Sequence, residues 1–210
     1  MLLRRRRRIF YVLLLMVLVI ASISAVYLHK RHDGENVTPS VDYVSDNVVY
    51  YYQKDTHWKD DPLGDSVYHM GDSGCLTTCL AAVVQMQGIE RKELVADVNP
   101  KTLNQFFSDH QVYDAEGNLQ WLALEEALNV TTVRKEANEL EAEELDTLLE
   151  QGHYPIACVQ TKTGSMHFVL LVGGQDGMYW CMDPMQKEKQ MVPLSEYGNR
   201  IDSIRYLTEE

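Results

Sequence analysis

GDSGCLTTCLAAVVQMQG, residues 71–88, carries a glycine-bearing loop straight into a run whose apolar positions almost encircle a helix. Between Leu76 and Met86 the exceptions are Thr77, Thr78 and Gln85, with Gln87 just beyond, so this helix is expected to be buried. Cys75 stands at its head, directly after Ser73 and Gly74. A helix start offers unpaired N–H groups and the positive end of the dipole, which together favour a thiolate. A small buried structural thiol is the competing reading of the same residue.

Outward from this helix the elements fall into two groups. Before it, VVYYYQ (48–53) is a β-rich run, and residues 54–74 read as loop punctuated by Pro62, Gly64, Gly71 and Gly74. After it, Gly88 closes the helix and a short helix is expected over ERKELVADV (90–98). NPKTLNQFFSDH (99–110) predicts a helix with Asn99 as N-cap and Pro100 at the first helical position. LQWLALEEALN (119–129) reads as another helix, VTTVRK (130–135) as a strand, and a last helix is expected from Asn138 through Leu149, ended by Gly152.

Beyond Gly152 the character changes. YPIACVQ (154–160), MHFVLLVGG (166–174), MYWCMDP (178–184) and IDSIRYL (201–207) read as strands, the first three joined by short glycine-containing turns, and predict an antiparallel meander. Helices mostly first and strands mostly last give an α+β domain with a helical lobe and a sheet lobe.

The N-terminus has a different task. Arg4–Arg8 form an unbroken basic tail (1–8), followed by twenty uncharged residues from Ile9 to Leu28. At 1.5 Å rise per residue that run matches a hydrocarbon core of about 30 Å. Five arginines before it, against Lys30 and Arg31 after it, place the N-terminus in the cytoplasm and the remainder outside. A cleaved signal peptide ending in SISA at Ala25 is the alternative, giving a secreted protein. Residues 29–47 read as a polar stalk, and the folded domain is expected over 48–210.

All 31 acidic residues lie beyond Arg31, along with 12 of the 19 basic ones, so the exported part carries a strong negative charge. Such a surface repels nucleic acid and anionic head groups, and no nucleic-acid partner is expected. Four cysteines in that compartment default to disulfides, yet their spacing does not resemble a dense disulfide scaffold. Cys158 and Cys181, in separate strand patterns, are readable either as a bridge or as two buried thiols.

If Cys75 is a nucleophile it needs a base. Of seven histidines, His29 and His32 flank the apolar run, and His57, His69, His110 and His153 sit in loops or near helix ends. His167 opens the strand HFVLLVGG right after a tight turn, where its ring can face a cleft. Asp183 ends the next strand, so hairpin pairing can bring it beside His167 to hold the imidazole in one tautomer. A metal site built from Cys75, Cys79 and His167 lacks a closely spaced fourth ligand, and no metal or cofactor is expected.

YYQKDTHW (51–58), GDSGCLTTCLAAVV (71–84), MHFVLLVGG and CMDP (181–184) together resemble four blocks of the bacterial double-glycine-peptidase-like cysteine peptidases, a branch of the papain-like superfamily. The resemblance runs from about Tyr50 to Tyr206. It implies a papain-like fold in which a central helix carries the nucleophile and an antiparallel sheet lobe supplies the base and its orienting acid. By that resemblance Cys75 is the nucleophile, His167 the general base, Asp183 the orienter, and Gln53 the oxyanion-hole glutamine. The implied activity is hydrolysis of peptide bonds in a peptide or protein substrate by a membrane-anchored, extracytoplasmic, monomeric domain. An inactive peptide-binding or scaffold domain and a transglutaminase-like acyl transferase are the alternatives.

Overall fold

The computed structural model describes residues 13–22, 34–94, 97–141 and 143–208. The chain divides into two units, Met1–Gly34 and Glu35–Glu210. In the first, residues 13–22 are helical (α1). Apart from these, the spanning segment expected at Ile9–Leu28 lies outside the described residues, as does the basic tail. Among the described residues no helix is long and apolar enough to cross a membrane.

The second unit is mixed α+β. Its strands are β1 (Glu35–Asn36), β2 (Tyr43–Val44), β3 (Thr131–Glu136), β4 (Ile156–Gln160), β5 (Met166–Gln175), β6 (Met178–Met182), β7 (Val192–Pro193), β8 (Arg200–Ile201) and β9 (Ser203–Thr208). Its helices are α2 (Met70–Ser73), α3 (Cys75–Gln87), α4 (Pro100–Asp109), α5 (Trp121–Leu128) and α6 (Glu144–Glu150). Seven strands form one sheet in the order β3-β9-β4-β5-β6-β7, with β2 added to β5, and every pairing is antiparallel. The expected meander therefore holds for β4-β5-β6. The C-terminal strand departs from it by inserting between β3 and β4, a non-local pairing.

Strand alternation sorts the core onto the two faces of this sheet. Ile156, Leu170, Val172 and Met182 pack with α3, α4 and α5, whereas Ala157, Val159, Val169, Leu171 and Cys181 pack with Leu145, Leu148 and Leu149 of α6. Helix α3 lies across β5, and its residues from Thr77 to Val84 are all buried. Gly88 ends it at φ 69° in the left-handed region, where a side chain would be strained. Asn99 caps α4 as expected, accepting from the N–H groups of Lys101 and Thr102.

Three local expectations are corrected. VVYYYQ forms no strand: its side chains from Val48 to Tyr51 lean on the core, and Gln53 N–H bonds the carbonyl of Pro184 outside any ladder. Over 90–98 the described residues form a turn closed by Leu94 N–H on Arg91 O. The helix expected from Asn138 begins as a single 3₁₀ turn, Ala137–Glu139, and resumes as α6 only at Glu144.

The largest correction concerns residues 35–47, expected as a stalk. They are a strap bound to the domain through β1 on β8 and β2 on β5. The approach is close because β5 carries glycines there: a Cβ on Gly173 would stand 2.5 Å from the carbonyl oxygen of Tyr43. Buried Asp146 of α6 pins the same strap, accepting from the Ser40 N–H at 2.7 Å and the Ser40 hydroxyl at 2.6 Å, while the Tyr179 hydroxyl donates to its other oxygen at 2.8 Å.

Candidate active site

Cys75 is the first residue of α3 and is half-buried. Short α2 runs into α3 through Gly74, whose carbonyl accepts from Thr78 N–H. A Cβ at Gly74 would lie 2.5 Å from the Met70 carbonyl oxygen, so the two helices meet this tightly only because that residue is glycine. Cys75 thus stands in the first turn of α3, at the positive end of its dipole.

His167 is the second residue of β5, paired in register with Val159, and buried. Its Nε2 lies 2.8 Å from Oδ1 of Asp183, just past the end of β6. Cys75 lies close enough to the ring to raise its pKa. With Nε2 facing the carboxylate, Nδ1 is the nitrogen available to the sulfur. Three side chains separated by 92 and 16 positions thus meet at one place.

The electrostatics follow from these contacts. Burial alone would push the His167 pKa down, but the hydrogen bond to Asp183 and the nearby Cys75 outweigh it and raise it to about 9. Burial pushes Asp183 the other way, yet its carboxyl is held below the usual range by His167, the Tyr197 hydroxyl and the Met185 backbone N–H. Tyr197 closes the short 3₁₀ turn after β7, donates to Asp183 Oδ2 at 2.7 Å, and sets its ring 5.9 Å from the imidazole. Burial and the neighbouring carboxylate raise the Tyr197 pKa, keeping it a donor.

Gln53 is 2% exposed and reaches helix α2 just ahead of Cys75, its Nε2 donating to the Gly71 carbonyl at 3.0 Å. That carbonyl can only accept, which fixes the amide with nitrogen toward α2. One of the two amide hydrogens is thereby used and the second is left to point elsewhere. Oε1 has no hydrogen-bond partner among the described residues.

The remaining cysteines stay apart from this group chemically. All four are free thiols. Strand β5 separates Cys158 of β4 from Cys181 of β6, and two strand spacings exceed the reach of a disulfide. Burial pushes the Cys158 thiol up to about 12 and drives Cys79 and Cys181 up as well. Cys79 is core, its Sγ on the Phe168 carbonyl at 3.5 Å.

Of the residues singled out in the sequence, His167 and Asp183 are in direct contact, Cys75 stands near the ring, and Gln53 is tied to Gly71 and Pro184, close in the chain to Cys75 and Asp183. Tyr197 escaped sequence reasoning because LSEYGNR (194–200) has no periodicity and no chemical signature, and its place beside Asp183 depends on how β6 and β7 pair.

No protein-family model matches the chain, and no curated protein matches its sequence. Among solved structures it is similar to a crystal structure from Bacillus anthracis, provisionally described as a C39-like peptidase. That likeness has a TM-score of 0.51 at 15% identity and covers 81% of this chain and 100% of the other. At that identity it speaks for the fold alone: the chain has the α+β fold of a C39-like peptidase.

Proposed function

We propose that this chain is a cysteine peptidase working outside the cytoplasm, held at the membrane by Ile9–Leu28. The observation that carries the reading is the meeting of Cys75, His167 and Asp183, with the sulfur at a helix start and the imidazole fixed by a 2.8 Å bond to the carboxylate. The likeness in fold to a C39-like peptidase adds support.

In this reading His167 Nδ1 takes the proton of Cys75 Sγ, and the sulfur attacks the substrate carbonyl carbon. The carbonyl oxygen becomes an oxyanion between the Cys75 backbone N–H and the second amide hydrogen of Gln53. Collapse breaks the carbon–nitrogen bond, and Nδ1–H protonates the departing amine. Water then enters, Nδ1 takes one of its protons, and hydroxide attacks the thioester. The carbon–sulfur bond breaks, a carboxylic product leaves, and Sγ regains the proton. Asp183 holds the imidazole in the tautomer each step needs and stabilises its charged form.

The test is alkylation of the full chain by iodoacetamide, with the modified cysteine identified by mass spectrometry, run beside a peptide-library cleavage assay. Cys75 is expected to react fastest of the four, to lose that lead in His167→Ala, and to be required for cleavage. Equal reactivity of all four thiols, or cleavage that persists in Cys75→Ser, rejects the reading.

A further inference from the structure

Beside the catalytic group lies a cavity of about 680 Å³, within the size range of ligand-binding pockets. His167 and Asp183 form part of its wall, whereas Cys75 and Gln53 do not line it. This asymmetry orients it. With the acyl carbon over the Cys75 sulfur and its oxygen toward Gln53, the departing nitrogen must lie within reach of the imidazole that protonates it. A hollow on the imidazole side continues the path of the leaving chain.

The lining sets the chemistry. Met185, Met191 and Val192 supply apolar surface, Thr161, Thr163, Gln186 and Gln190 add neutral polar groups, and the hydroxyl of Tyr197, also on the wall, is committed to Asp183. The charged groups on the wall beyond the catalytic pair are Lys162 and Glu196, which pair with each other at 3.1 Å and present no net charge. An acidic or basic side chain seated against the methionines would lose water and meet no charge that is not already paired. Met185, half-exposed at the lip, has the flexible thioether that adapts to varied apolar shapes. The segment is also held in place: Pro184 O accepts from Gln53 N–H at 2.8 Å, Asp183 O accepts from Gln186 N–H at 2.9 Å, and Met185 N–H binds the catalytic carboxylate.

Resting on the peptidase reading, we infer that this cavity receives one or two uncharged, apolar residues of the substrate on the amine-leaving side of the cleaved bond. The selectivity resides in Met185, Met191 and Val192, with the Lys162–Glu196 pair keeping the mouth neutral.

The test uses binding, so that it does not depend on turnover. The full-length Cys75→Ala chain, immobilised from detergent, is equilibrated with capped hexapeptide sets in which one position at a time is fixed, and the retained peptides are read by mass spectrometry. Leu, Met and Phe are expected to be enriched about tenfold over Asp and Lys at one or two adjacent positions, the discrimination an apolar pocket commonly gives. Adding Met185→Asp, at an exposed position, should bring that enrichment below about twofold. Adding Lys162→Glu instead leaves Glu196 unpaired and should bring Lys and Arg peptides into the retained set, a gain that misfolding cannot produce. Absence of apolar enrichment, or enrichment unchanged by Met185→Asp, overturns the inference. The His167-dependent alkylation of Cys75 is read separately, so failure of the peptidase reading and failure of the pocket are told apart.

Discussion

The Tyr197 hydroxyl donates to Oδ2 of Asp183 at 2.7 Å, the carboxylate oxygen that His167 leaves free. Asp183 Oδ1 serves both the imidazole and the Met185 N–H, so the carboxylate is held from three directions. Such a group is fixed in rotation and in charge, and the ring it orients inherits that rigidity.

Tyr197 is accordingly a positioning residue. Tyr197→Phe should lower kcat/KM by about tenfold, from loss of a hydrogen bond to a charged group worth about 1.5–3 kcal/mol. The variant should also move the acidic limb of the pH–rate profile to higher pH, because one contact that depresses the Asp183 pKa is gone. A purely structural tyrosine would lower stability without moving that limb.

The second prediction concerns the ring itself. His167 titrates at about 9 when folded, above its ordinary value near 6.5. A raised histidine contributes stability that is fully present below the unfolded pKa and disappears as pH climbs through the folded one. Denaturant unfolding should therefore show stability falling between about pH 6.5 and 9, and His167→Gln should flatten that fall. Proton NMR of the ring should give a midpoint near 9. In Asp183→Asn it should drop steeply, since the burial that remains favours the neutral ring. In Cys75→Ala it should also drop, because the second raising contact is removed.

What the sequence revealed tracks how local each signal is. Helix α3 with Cys75 at its head, the Asn99 cap and the β4-β5-β6 hairpins are written in periodicity, capping residues and short turns within a few positions of one another. The His167–Asp183 contact was legible for the same reason, being a consequence of one hairpin. Tyr197 and the insertion of β9 depend on pairings between distant segments, which no local pattern encodes. Strands β1 and β2 are two residues long, too short for alternation to appear, so the polar strap looked like a linker.

That strap gives the third prediction. Asp146→Ala would leave the Ser40 N–H, the Ser40 hydroxyl and the Tyr179 hydroxyl without their acceptor, Tyr179 being almost wholly buried. Unsatisfied buried donors cost about 1–3 kcal/mol each, part of which water recovers at the exposed Ser40, so a loss of about 2–4 kcal/mol is expected in urea unfolding. Gly173→Ala should act on the same strap by a different route, its new Cβ forcing the Tyr43 carbonyl away. In both variants limited proteolysis should open the chain between residues 35 and 47 before the sheet. Unchanged protease resistance would mean that the strap is held by other contacts.

The last prediction separates the oxyanion role proposed for Gln53 from its structural one. Its Nε2 donates to the Gly71 carbonyl of α2, and in the proposed mechanism its second amide hydrogen serves the developing oxyanion. Gln53→Ala removes both. The structural loss should appear as about 1–3 kcal/mol in unfolding, the cost of an orphaned buried carbonyl. The catalytic loss should appear as a fall in kcat of about 10²–10³, the range measured where one oxyanion donor is deleted. Alkylation of Cys75 by iodoacetamide proceeds through a displacement at saturated carbon, with no oxyanion to stabilise. Its rate should therefore stay within about twofold of wild type, a shift far smaller than the fall in kcat. A parallel collapse of both rates would instead assign Gln53 to holding α2 against the start of α3, where the thiol sits.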